Sequence, residues 1–116
     1  ELNYMGIINI NKYLIPYSFT IKLSGSTYTI SLKYNILFDF FTASLNLGDK
    51  VLVENEKLVL GQFLFRQGED VDHNINPDFP QELLYVGSED TTIERVTWDN
   101  FGDTVFLYYV ERDEVA

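Results

Sequence analysis

Residues 18–34, SFTIKLSGSTYTISLKY, alternate apolar and polar side chains with a period of two, break at Ser24-Gly25-Ser26, and resume. Phe19, Ile21 and Leu23 share one face before the break, and Tyr28, Ile30, Leu32 and Tyr34 share one after it. Ser18, Thr20, Lys22, Thr27, Thr29, Ser31 and Lys33 occupy the other. Successive side chains of a strand point to opposite faces, so this spacing predicts a β-hairpin with one buried and one solvated face. The Thr and Tyr content agrees with it.

The rest of the chain reads as further short strands. A third is expected at 37–45, where Phe38, Phe40 and Phe41 leave the buried face ambiguous, as suits a strand covered on both sides. The turn Leu47-Gly48-Asp49-Lys50 leads into a short strand at 51–53. The run LVLGQFLF at 58–65 reads as a strand in which Gly61 marks a bulge or a close backbone approach. Residues 67–80 lose all periodicity, contain Pro77 and Pro80, and carry Glu69, Asp70, Asp72 and Asp78, which makes them the longest loop. Strands follow at 83–86, 93–98 and 104–111, with a turn at 99–103. No segment has a helical period with caps. Seven to eight short strands in hairpin-rich order imply an all-β fold, either a small antiparallel β-sandwich or a partly open β-barrel. The 116 residues suffice for one core, so 1–116 is expected to be a single β domain. Met5 is the expected native start, with 1–4 an added remnant, and 112–116 a frayed tail.

Charge narrows the function. Residues 1–67 hold six Lys/Arg and five Asp/Glu, whereas 68–116 hold two Arg and thirteen Asp/Glu, so the net charge of −10 comes from the second part. Nucleic-acid binding depends on Lys and Arg neutralising phosphates, and anionic membranes attract the same residues, so neither partner is expected. Cysteine is absent, which excludes a disulfide framework and a thiolate zinc site. The apolar stretches are too short to span a bilayer, and the first residues lack the basic and apolar regions of a signal peptide.

Chemistry is sparse. His73 is the one histidine and stands beside Asp72, near Glu69 and Asp70. Imidazole and carboxylates suit a divalent ion, but the spacing is not that of an EF-hand, and a solvated loop is the expectation. A Ser-His-Asp triad would have to be built on His73, and no serine sits in a nucleophile elbow. Paired carboxylates of glycosidase type are open in principle among the crowded acids. No GxGxxG or P-loop occurs. No cofactor, no metal and no catalytic residue is assigned, and an enzyme is not expected.

Aromatic residues make up 16% of the chain, and most are expected to fill the core at strand period. Tyr108 and Tyr109 are adjacent in a strand, so one of them faces away from its sheet's core side and needs a cover from this chain or a partner. Several blocks of the sequence together resemble the small phage baseplate plug family. They are YTISLKYN at 28–35, LVLGQFLF at 58–65, LLYV at 83–86 and DNFGDTVFLYYVE at 99–111, in an order that spans most of the chain. The last block, an Asn-Phe-Gly turn before an aromatic strand, is the most specific, and the 67–80 loop departs from the family in its acidity.

The resemblance implies a non-enzymatic structural component of a phage or phage-like tail baseplate, closing or organising the tube end near the spike. It implies contacts with tube, spike and hub subunits and a symmetric homo-oligomer, a trimer or hexamer. It also implies location in the virion after assembly in the bacterial host cytoplasm. Candidate interface residues are Asn100, Phe101, Tyr108, Tyr109, Glu69, Asp70 and Asp72. The alternative is a carbohydrate-binding β-sandwich module on a tail or cell surface, with a row of exposed aromatics.

Overall fold

A computed structural model describes residues 4–111. The frayed tail expected at 112–116 and, apart from Tyr4, the remnant expected at 1–4 lie outside them. The predicted hairpin is β2 (Tyr17–Leu23) and β3 (Ser26–Asn35), paired without a register break from Leu23↔Ser26 to Tyr17↔Leu32. Ser24 and Gly25 join the strands at φ 53° and 80°. A two-residue hairpin turn needs this left-handed backbone, which glycine adopts without a Cβ clash.

Two more strands, β4 (Phe40–Leu47) and β5 (Lys50–Lys57), extend the hairpin into a sheet of order β2-β3-β4-β5. The opposing sheet has the order β1-β8-β7-β6, built from β1 (Tyr4–Ile8), β6 (Phe63–Leu64), β7 (Leu83–Ser88) and β8 (Val105–Val110). Among the described residues, then, eight strands form two antiparallel sheets that are not closed into a barrel.

The core lies between the inner faces. Tyr28, Ile30 and Leu32 of β3 and Phe41, Ala43 and Leu45 of β4 are fully buried, in one cluster with Leu64, Leu84, Val86, Val105 and Leu107 of the other sheet. No polar or charged residue is buried among the described residues. Apolar burial is thus the driving term, at roughly 25 cal/mol per Å² removed from water. Tyr28 keeps its hydroxyl satisfied by donating to the Asp78 carbonyl at 2.8 Å.

Four expectations change. β4 begins at Phe40 rather than 37 and buries one face only: Phe41, Ala43 and Leu45 point in, while Phe40 lies under the Lys57 ammonium at 4.9 Å. Residues 36–39 instead form the turn from β3. The short strand at 51–53 runs on to Lys57, because Asn55 takes φ 53° in a bulge and donates its N–H to Ser44 Oγ at 2.9 Å. The run 58–65 is mostly a crossing between sheets. Leu58 bonds back to the Phe41 carbonyl, Gly61 at φ 83° bonds to the Val86 carbonyl, and only Phe63–Leu64 pairs as strand.

Residues 93–98 are not a strand. Their backbone is satisfied by side chains: Thr97 N–H donates to Asn100 Oδ1, Trp98 N–H to Asp39 Oδ1, and Asn100 Nδ2 to the Arg95 carbonyl. Asn and Asp offer the backbone this alternative to a ladder. β1, which the periodicity does not mark, pairs with β8 through a bulge at Gly6. A Cβ on Gly6 would stand 2.7 Å from the Tyr109 hydroxyl, so the Tyr109 ring lies over Gly6 where a side chain would meet it.

Phe41 links the β3–β4 sheet to the irregular 93–101 segment, with its ring 4.6 Å from Phe101, 4.8 Å from Tyr34 and 5.9 Å from Trp98. Phe41→Ala should lower stability by about 3–5 kcal/mol. Equilibrium urea unfolding should show this as a lower midpoint with an unchanged slope; a loss below about 1 kcal/mol would remove Phe41 from this central role.

Candidate functional site

A run of exposed apolar residues lies at one end of the sandwich. Ile36, Leu37 and Phe38, at the turn between β3 and β4, are 81%, 84% and 72% exposed, and Tyr13 and Leu14 are 78% and 59% exposed. Scattered exposed apolar residues are ordinary, but three in succession at a turn are not what folding alone selects.

The turn is held from both sides. Asn35 Oδ1 accepts the Phe38 N–H at 3.0 Å, an Asx-type turn. Asp39, at φ 55°, closes it. Its Oδ1 accepts the Tyr34 hydroxyl at 2.7 Å and the Trp98 N–H at 2.8 Å, and its Oδ2 accepts Arg95 Nη2 at 3.1 Å. Arg95 Nη1 also donates to the Asp39 carbonyl at 2.9 Å. The Tyr34 hydroxyl, followed by the Trp98 amide, holds the Asp39 carboxyl below the usual aspartate range, and the same bond raises the Tyr34 phenol. The 3-10 turn Lys12–Leu14 docks on this network: Lys12 Nζ donates to the Trp98 carbonyl, and Tyr13 meets the Trp98 ring edge-on at 5.8 Å. The apolar tip is therefore presented on a fixed base.

A cleft of about 750 Å³ opens beside it, with Ile15, Tyr34, Ile36 and Trp98 in its wall and Lys33, Asp39 and Asp99 around them. Its chemistry is modest. A glycosidase acid needs a raised pKa, and Asp39 has the reverse. Trp98 stacks on Phe41 with 15° between ring planes and carries the Lys12 ammonium 5.1 Å from its centroid, so its ring is already engaged.

The sequence-derived interface residues fall in three places. Asn100 and Phe101 lie behind the apolar end. Asn100 organises the 97–105 turn, its carbonyl accepting the N–H groups of Asp103, Thr104 and Val105, and Phe101 is core at 2% exposure. Tyr109 packs against the core cluster beside Gly6, and Tyr108 points to the outer face of its sheet, opposite Tyr85, where it is buried all the same. Burial raises the Tyr108 phenol.

Glu69, Asp70 and Asp72 sit together in the acidic loop. Glu69, its side chain 13% exposed, pairs with Arg66 and with His73 Nδ1, each at 2.8 Å. Asp70 Oδ1 accepts the N–H groups of Asn74 and Asp72 at 2.9 Å, and the Asn74 amide chiefly holds its carboxyl below the usual range. Asp72 is exposed. Among the described residues no group of three or more His, Cys, Asp or Glu is placed to hold a metal ion.

The residues that sequence reasoning missed are Ile36, Leu37 and Phe38, which it placed in a strand or left unassigned. The signal was present: Asn35 and Asp39, both turn formers, bracket three apolar residues in a row, which breaks the period of two.

The fold is an open β-sandwich with an apolar core, an apolar tip on a fixed base and a cleft beside it. The family model described as cyanophage baseplate Pam3 plug gp18 matches residues 5–113, nearly the whole chain. The chain belongs to this baseplate plug family, which carries a structural role in the tail baseplate of a virion and interaction with other tail proteins. No curated protein matches it.

Among the described residues, three aspartates are held below the ordinary range: Asp39, Asp70 and Asp90, the last through the Thr92 hydroxyl and amide. A depressed carboxylate binds fewer protons folded than unfolded, so it adds stability above the unfolded pKa and loses it as pH falls through the folded one. The melting temperature should therefore fall as pH drops below the ordinary aspartate range, less steeply in Asp39→Asn than in wild type. Parallel profiles in a thermal melt series would show that Asp39 is not held as described.

Proposed function

We propose that the protein closes or organises the distal end of the tail tube near the spike, without catalysis, through contacts with tube, spike and hub subunits. In this reading it acts as a symmetric homo-oligomer of three or six copies, incorporated while the particle assembles in the host cytoplasm. The observation that carries it is the Ile36-Leu37-Phe38 tip, held on the Asp39 network. Large apolar side chains at the centre of a contact supply most binding energy when a partner desolvates them, and a prepaid conformation lowers the entropic cost of docking.

The charge distribution supports the same reading. The acids concentrated after residue 67 face a passage for DNA or a basic neighbouring subunit. Lining a passage, they repel phosphate and keep the genome from adhering, the converse of counterion-release binding. Facing a subunit, Asp70 and Asp72 set register by charge complementarity, while Asn100 and Phe101 support the apolar end from behind.

The test is a tail particle assembled with Leu37→Ser/Phe38→Ser in place of wild type and analysed by quantitative mass spectrometry. Wild type should appear at a fixed low copy number beside spike and tube proteins. The variant should keep its melting behaviour, since exposed substitutions change stability by about 0.5 kcal/mol or less, and should fall at least tenfold in the particle. Wild type absent from particles would overturn the baseplate position, and a variant incorporated at wild-type level would overturn the role of the tip.

A further inference from the structure

A sandwich of two open sheets has four edge strands, and three of these are protected. β6 is two residues long. β5 carries Lys50, Glu54, Glu56 and Lys57 and is broken by register shifts against β4. β1 is short and bulged at Gly6. Charge, shortness and bulges are the devices by which sheet proteins prevent edge pairing. β2 has none of these beyond Lys22: it is seven residues long, its register is unbroken, and among the described residues it is hydrogen-bonded on one side only.

The free edge can be located residue by residue. In a hairpin closed by a two-residue turn, Leu23↔Ser26 is a hydrogen-bonded pair, and bonded and non-bonded pairs alternate from there. Tyr17, Phe19, Ile21 and Leu23 therefore spend their backbone groups on β3, and Ser18, Thr20 and Lys22 aim theirs outward. The 2.7 Å contact of Ser18 Oγ with Ser31 Oγ agrees, since side chains approach most closely at non-bonded pairs. All three outward residues are exposed.

The inner face of β2 is incomplete as well. Tyr17, Phe19 and Ile21 are only partly buried, whereas Tyr28, Ile30 and Leu32 beside them on β3 are fully buried. An apolar slot of about 400 Å³ opens between β1 and β2, with Ile8, Ile10, Tyr17, Phe19, Phe101 and Phe106 in its wall.

We propose that the β2 edge pairs antiparallel with the β2 edge of a second copy of this chain, about a two-fold axis at Thr20. The sequence of the strand is self-complementary in that register. Thr20 meets Thr20, and Ser18 meets Lys22 of the second copy, so every outward backbone group finds a partner and no like charges oppose. Phe19 then faces Ile21 of the second copy on the inner side, and the two rows of partly buried side chains cover one another. The two sheets continue as one eight-stranded sheet, and the slots of the two copies meet at the joint. An isologous contact closes on two copies. Of the copy numbers proposed above, six can be built from such pairs and three cannot. The pairing itself does not depend on the baseplate reading.

The experiment uses the full chain in solution. Sedimentation equilibrium over a concentration series reaching millimolar should show the mass rising to twice that of the chain. Thr20→Lys places two ammonium groups on the axis without touching the β3 ladder, and should return the mass to that of one chain with an unchanged circular dichroism spectrum. Thr20→Cys introduces the one thiol of a chain without cysteine, at a Cα separation of about 5.5 Å, within disulfide range. Under mild oxidation it should form a covalent pair at least tenfold faster than Lys33→Cys, which lies on a strand paired on both sides, and this decides the matter if Thr20→Lys does not fold. Three results would overturn the proposal: a wild type that stays at one chain mass, a doubled mass that folded Thr20→Lys leaves in place, or Thr20→Cys cross-linking no faster than Lys33→Cys.

Discussion

Phe41 and Asp39, two residues apart, join the interior of this protein to its surface. Phe41 points into the sandwich and touches Phe101, Tyr34 and Trp98, so the sheet of β3 and β4 and the irregular 93–101 segment pack on one ring system. Asp39 gathers the polar groups of the same segments, accepting from Tyr34, Trp98 and Arg95. Aromatic packing leaves the Trp98 amide without a ladder partner, and the carboxylate supplies one. An unpaired polar group beside a core costs about 1–3 kcal/mol, so the carboxylate and the ring cluster are coupled.

That coupling shapes the candidate site. The apolar tip is three residues of a turn whose two ends are fixed by Asn35 and Asp39, and its base is the outermost layer of the core. The acidic loop on 67–80 is built differently. Asp70 bonds to the backbone of its own loop, Glu69 to Arg66 and His73, and Asp78 to Lys50, so charged side chains surround the exposed Val71.

The edges follow a related economy. Two open four-stranded sheets leave more unpaired backbone than a closed barrel, and the chain protects β1, β5 and β6 by shortness, bulges or charge. The absence of such protection on β2 stands beside a row of half-covered aromatic and aliphatic side chains, so backbone and side chains are incomplete at the same strand.

Much of this was legible in the residues. The period of two in 18–34 determined the hairpin, its faces and its turn, and the spacing of the remaining apolar runs determined an all-β protein of seven to eight strands. The blocks at 28–35, 58–65, 83–86 and 99–111 pointed to the plug family, which the match over residues 5–113 shows. Alternation is a local property of the pleated backbone, so sequence alone reports it. Tertiary structure decided the rest. It placed 36–38 in an exposed turn instead of a strand, withheld a ladder from 93–98, and turned Tyr109 inward and Tyr108 outward. Each outcome depends on partners far away in the chain, as when Asp39 meets the Trp98 amide across 59 positions. Periodicity marks which face of a strand seeks cover, but the cover itself is made by whichever distant segment the packing brings there.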